Sequence, residues 1–194
     1  MIKITKFFLL VLTFQLVFDA QSEAPIIQPG APGEISKILD PQVASNIAGA
    51  SYVQADVDFL NGMIIHHKQA ILMSKLVKKR TNNKLILDLA KRIDASQEDE
   101  INFMESWLKS RKELMPSMSH KHNIHMKMAG MATPKQLEDL KNTKSTYFDR
   151  LFLQLMIAHH DGALEMVEEL EKYPGSANDP LLNEFVSDLI NDQS

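Results

Sequence analysis

All seven histidines of this 194-residue chain fall into three places: His66-His67, His159-His160, and a trio at His120, His122 and His125. The methionines accompany them. Met63, Met73, Met156 and Met166 flank the two pairs, and Met115, Met118, Met126, Met128 and Met131 surround the trio, with Met104 standing apart. There is no cysteine, which removes thiol nucleophiles, disulfides, iron–sulfur clusters and thiolate zinc sites. A bound metal must therefore be held by imidazole, thioether, carboxylate or backbone groups. Thioethers are soft, neutral ligands that select Cu(I) and its heavier congener Ag(I), while imidazole suits Cu(I), Cu(II) and zinc alike. A thioether carries no proton at physiological pH, so a mixed site keeps part of its affinity in acid; a histidine-only site loses it below about pH 6.5. Copper is the metal these donors fit best.

Each donor group has a plainer reading beside the metal one. An interior histidine is usually a hydrogen-bonded core residue, and methionine is a common gap filler. Two duplicated His-His pairs with matched methionines shift the balance toward a metal or another functional site. The segment Met115–Met131 is a stronger compositional signal, with three histidines and five methionines in 17 residues. Its alternative is a Met-rich surface for a partner helix, with the histidines acting as a pH sensor. Di-iron carboxylate chemistry wants Glu-x-x-His motifs, and no histidine here has a glutamate three residues before it. His-Glu-x-x-His and a nucleophile elbow are also missing, so neither zinc-protease nor serine-hydrolase chemistry has its signature. A metal-dependent redox enzyme would need an open coordination position and an oxidant, neither of which a sequence displays. Binding rather than catalysis is the expected role.

The elements that must position these residues read as helices. Ser51-Tyr52-Val53-Gln54 has the form of a capping box, and Val53, Val57, Leu60, Ile64, Ile71 and Val77 form an apolar stripe, predicting a helix over 52–79. Leu85, Leu89, Ile93, Ile101, Met104 and Leu108 predict a second over 84–112. Thr133-Pro134-Lys135-Gln136 starts a short helix to Asn142; longer patterns follow over 146–172 and from Pro180. No segment alternates as a strand would, so the expected fold is all-α, an up-down four-helix bundle over residues 51–194 with a Met/His-rich loop at 113–132. Upstream, Lys3 and Lys6 precede a 12-residue apolar run from Phe7 to Phe18. That is too short for a bilayer, which needs about 20 residues, and residues 1–22 read as a signal peptide. Residues 23–50, rich in proline and glycine, read as a flexible arm. The expected location is periplasmic or secreted, with no membrane insertion after cleavage. A net charge of −4 argues against nucleic acid as a partner.

On the first helix, His67 continues the apolar stripe and is expected to point inward, with His66 on its flank. In an antiparallel hairpin Gln97 falls opposite His66 and His67, Glu100 opposite Met63, and Gln193 opposite His160. Gln97, Glu100 and Gln193, together with Asp56 and Asp149, are the groups expected to hydrogen-bond the imidazoles from behind and fix their tautomers. The two halves of the chain repeat. Asp56, Phe59, Met63, His66, His67, Ala70 and Met73 correspond at one spacing to Asp149, Phe152, Met156, His159, His160, Ala163 and Met166. Gln97 corresponds to Gln193 once three residues are allowed in the second inter-helix loop. This doubled Asp-x-x-Phe-x-x-x-Met-x-x-His-His-x-x-Ala-x-x-Met motif resembles that of an exported helical-bundle family catalogued as a domain of unknown function, one member of which sequesters copper in the periplasm. Gln97, Glu100-Ile101, Met104 and Trp107-Leu108 match that family's second helix. The resemblance covers residues 51–194. It implies a ferritin-like four-helix bundle built from a duplicated hairpin, binding Cu(I), Ag(I) and Cu(II) for copper tolerance. A copper exporter or efflux component is the partner such a sequestering or ferrying protein would serve.

Overall fold

The computed structural model describes residues 25–28, 35–39, 51–115 and 128–194, and the chain divides into two units at residue 44. The first unit holds two strands, β1 (Ile26–Gln28) and β2 (Lys37–Leu39), paired antiparallel with Ile27 opposite Ile38. This corrects the expectation of an arm without strands. Ile26, Ile27 and Ile38 are β-branched and favour extended pairing, a tendency that a count of prolines and glycines overlooks.

The second unit is helical. Its elements are α1 (Gln54–Val77), α2 (Lys84–Ser110), α3 (Pro134–Asn142), α4 (Ser145–Leu170) and α5 (Pro180–Gln193). Most starts are capped as their sequences dictate. Asn83 accepts from the Leu85 N–H and Asp179 from those of Leu181 and Leu182. Thr133 and Gln136 cap α3 reciprocally. The start of α1 differs from expectation: Asp56, not Gln54, reaches back to a backbone N–H, that of Val53, at 2.8 Å. An aspartate at this position has the shorter reach and, as shown below, a second partner that holds it there.

Short turns make α1–α2 and α4–α5 antiparallel hairpins, and α1 also runs antiparallel to α4. The Ser145 N–H at the head of α4 donates to the Arg80 carbonyl just past the end of α1. At the opposite end, Asp56 of α1 accepts from the Ala177 N–H beyond α4 at 2.8 Å. Asp179, heading α5, accepts from the Trp107 indole at 3.2 Å and pairs with Arg111, both near the end of α2. The Arg111 guanidinium also lies 3.9 Å over the Trp107 ring. These contacts close an all-α bundle.

Two apolar clusters fill it. One contains Val57, Phe59, Leu60, Met63, Met104, Leu108, Met166 and Leu170. The other contains Ala70, Met73, Val77, Ile86, Leu140, Phe148, Phe152 and Met156. The histidine pairs lie along α1 and α4 between the residues of these two clusters. Leu85, expected on the apolar stripe of α2, is exposed. Ile86 and Ala90 face inward instead, so the stripe is rotated by one residue at this end.

Candidate metal centre

His66, His67 and His159 are fully buried and His160 is half-buried. His66 is thus not on the flank of α1 but in its core face, because α4 crosses directly against it. The His66 and His159 rings, equivalent positions of the two repeats, lie face to face with centroids 3.6 Å apart and planes 31° from parallel. His67 and His160 stand outside this stack, each 6.3 Å from the ring of its own chain neighbour.

His66, His67 and His159 are each held through one edge. His66 Nε2 donates to the Ala129 carbonyl at 2.9 Å, and His159 Nε2 donates to the His66 carbonyl at 2.9 Å. His67 Nε2 pairs with the Glu100 carboxylate, whose other oxygen accepts from Ser96 at 3.1 Å. The Met156 carbonyl one turn back lies beside the His160 ring and partly offsets its burial. A carbonyl or carboxylate can only accept, so Nε2 carries the proton in His66, His67 and His159. In neutral His66 and His159 that leaves Nδ1 as a lone pair, and the Nδ1 atoms of all four histidines are buried without a partner. Burial holds His66, His159 and His160 neutral. Desolvation, with the neighbouring histidines adding to it, lowers His66 to about 4 and His159 to about 2. His160 is also lowered, chiefly by burial. A neutral imidazole fixed through Nε2 and bare at Nδ1, as in His66 and His159, has the state metal ligation requires.

Glu100 therefore does the work expected of it, on His67 rather than opposite Met63, a register shift of one turn. Gln97 and Gln193 are buried, yet their Oε1 atoms have no partner; both line a cleft that His160 shares. Asp56 and Asp149 were expected behind the imidazoles and are used elsewhere. The oxygens of Asp56 take the Val53 and Ala177 N–H groups. Asp149 accepts from the Asn83 amide at 3.1 Å. Each motif aspartate thus ties its own helix to the inter-helix turn of the other repeat.

The helix methionines Met63, Met73, Met104, Met156 and Met166 are buried in the two apolar clusters, where they pack as well as flank the histidines. Met115 is exposed at the end of α2, whereas Met128 and Met131 are half-buried. Met118, His120, His122, His125 and Met126 lie outside the described residues. Among the described residues, no three His, Asp or Glu side chains gather closely enough to form a ligand set by themselves; thioethers or amides must complete any site.

One feature of the site escaped the sequence reading. Residues 128–132 form a strap seated across α1 and α4. Gln69 accepts from the Ala132 N–H at 2.7 Å and donates to the Ala132 carbonyl at 3.0 Å. Gly130, at φ +70°, meets Gly162 of α4; a Cβ on Gly130 would stand 2.2 Å from the Ala158 carbonyl oxygen. Only glycine permits this approach, and it delivers the Ala129 carbonyl to His66. Gly130 and Gly162 were the available signal, two glycines beside histidine-bearing segments.

The sequence matches the profile of DUF305, described as a domain of unknown function, over residues 56–194. A curated relative, uncharacterized protein L153 of Acanthamoeba polyphaga mimivirus, is 51% identical over 57 residues, covering 29% of this chain and 38% of that one. Among solved structures, a putative secreted DUF305 protein from Streptomyces coelicolor aligns with a TM-score of 0.59 at 27% identity, covering 72% of this chain and 89% of the other. CopM in its Cu(I)-bound form aligns at 0.55 and 27%, covering 71% of this chain and 86% of CopM. Its Cu(II)-bound form gives 0.53 and 29%, covering 70% and 85%. No helix among the described residues is long and apolar enough to cross a membrane.

Proposed function

Because the chain belongs to the DUF305 family and resembles CopM in its copper-bound forms, we propose that it is an exported, non-enzymatic copper-binding protein. It takes Cu(I), and also Ag(I) and Cu(II), to sequester or ferry the ion for copper tolerance, handing it to an exporter or efflux component. The observation that carries this reading is the two histidine pairs, whose buried Nδ1 atoms have no partner. A buried polar atom left unsatisfied costs about 1–3 kcal/mol, and a cation shared with a neighbouring thioether would relieve that cost. Met63 and Met156 each stand one turn before a histidine pair and supply the soft donor that favours Cu(I). The Met115–Met131 segment adds donors for capture.

Titrating the protein with Cu(I) against a competing chelator tests this directly. At least one equivalent is expected to bind, and replacing His66, His67, His159 and His160 together by alanine lowers the retained affinity at least tenfold. Less than one equivalent, or full affinity in both that variant and one lacking the segment histidines and methionines, overturns the proposal. The rival reading, a histidine pH sensor in an interaction module, needs rings that charge near pH 6. His66 and His159 are held far below that.

A further inference from the structure

Beside the ring stack lies a separate cleft of about 570 Å³ between α2, α4 and α5, lined by Arg92, Ser96, Gln97, His160, Asp192 and Gln193. Gln97 and Gln193, equivalent in the two repeats, are only 1% and 6% exposed. Their Oε1 atoms and the Nδ1 of His160 are all buried without a partner. Two buried amides from matched positions therefore leave electron pairs, with no donor to meet them, beside the cleft that His160 also lines. A core that needed only to be filled would place Leu at both positions. At the rim, the Asp192 carboxylate accepts weakly from Ser96 at 3.4 Å, and Arg92 sets one positive charge against it.

We propose that this cleft is an oxygen-rich site for Cu(II), held by His160 Nδ1, Gln97 Oε1, Gln193 Oε1 and the Asp192 carboxylate. One imidazole nitrogen and three oxygens suit the tetragonal preference of Cu(II), and amide and carboxylate oxygens are poor partners for Cu(I). The site has no thioether among its ligands, so it discriminates by oxidation state from His66, His67 and His159 with their neighbouring methionines. The choice of copper over another borderline divalent ion rests on the copper-binding reading above.

The test uses the full chain carrying His120→Ala, His122→Ala and His125→Ala, so that the histidine-rich segment does not compete. Cu(II) is added to one equivalent and the electron paramagnetic resonance spectrum recorded. A single equatorial nitrogen is expected, and Q97L with Q193L lowers Cu(II) affinity at least tenfold and changes the spectrum. Two or more equatorial nitrogens, or unchanged affinity and spectrum in the double variant, overturn the proposal; the latter is the result if water fills the cleft. Should the double variant not fold, Q193E alone decides. It adds a carboxylate at the same reach and is expected to tighten Cu(II) about tenfold, and no change overturns the site. Cu(I) titration of the same Q97L, Q193L variant reads His66, His67 and His159 with their methionines separately, so failure of one proposal leaves the other standing.

Discussion

The two repeats begin with the same motif and finish with different surroundings. In the first, His66 is anchored by a carbonyl from the strap and His67 by the Glu100 carboxylate of α2. In the second, His159 borrows the His66 carbonyl and His160 lies beside the Met156 carbonyl of its own helix. The first pair is sealed on both sides, whereas His160 opens onto the cleft with Gln97 and Gln193. The strap accounts for the His66 part of this difference. It lies between Gln69 and Gly162, which occupy matching positions in the two repeats, and it can use only one of them as a hydrogen-bonding hand and the other as a gap. A duplicated hairpin has thus become one closed and one accessible half, with the strap over the first and the cleft beside the second.

Removing the contact between Gly130 and Gly162 has the largest expected effect. In Gly162→Ala the new Cβ would stand 2.3 Å from the Ala129 carbonyl oxygen and 2.6 Å from Gly130 Cα, all backbone atoms that cannot turn aside. The strap must lift, taking the His66 acceptor with it. A destabilisation of about 3–5 kcal/mol is expected, measured by urea unfolding. A change below 1 kcal/mol would mean that the strap is not what distinguishes the halves.

Acid sharpens the same comparison. The folded protein keeps His66 neutral to about pH 4 and His159 to about pH 2, whereas unfolded histidine protonates near pH 6.5. Below pH 6.5 the unfolded chain therefore binds more protons, and stability that is full at neutral pH is lost as the pH falls. His66 alone accounts for up to about 3 kcal/mol by pH 4. Carboxylates, which titrate near 4 when unfolded, contribute little above pH 5. Urea unfolding of the metal-free protein at pH 7, 6 and 5 is expected to show the decline, and His66→Phe to make it shallower, with His159 still contributing, whatever that variant does to stability at pH 7.

Much of this was legible in the sequence. Helix bounds followed from cap residues and 3.6-residue periodicity, both local, and the doubled motif placed the four histidines on facing helices. What one chain's periodicity cannot encode is rotation and register between helices. Hence Glu100 meets His67 rather than lying across from Met63, His66 is core rather than flank, and Leu85 yields the interior to Ile86. The strap was illegible for another reason. It depends on a backbone crossing between Gly130 and Gly162, and a glycine in a sequence does not say what approaches it. The motif aspartates were misassigned because their conspicuous spacing before the histidines suggested chemistry, when it serves the connections.

Those aspartates give the last and smallest test of how far the halves have diverged. Asp56 is fully buried, with both oxygens on backbone N–H groups. One caps α1; the other holds Ala177, a non-glycine residue at φ +50°, in the turn that leads to α5. Asp56→Ala removes a cap, typically about 1 kcal/mol, and strands a second donor at a similar cost, so about 2 kcal/mol is expected. Asp149 is half-exposed and meets only the Asn83 side-chain amide, which water replaces, so Asp149→Ala is expected to cost about 0.5 kcal/mol. Thermal unfolding of the two variants side by side measures the gap. Neither carboxylate touches an imidazole, so both variants are expected to bind Cu(I) as the parent does. A selective loss of Cu(I) affinity in Asp149→Ala, at unchanged stability, would return that residue to the metal site and make the second half the chemically richer one.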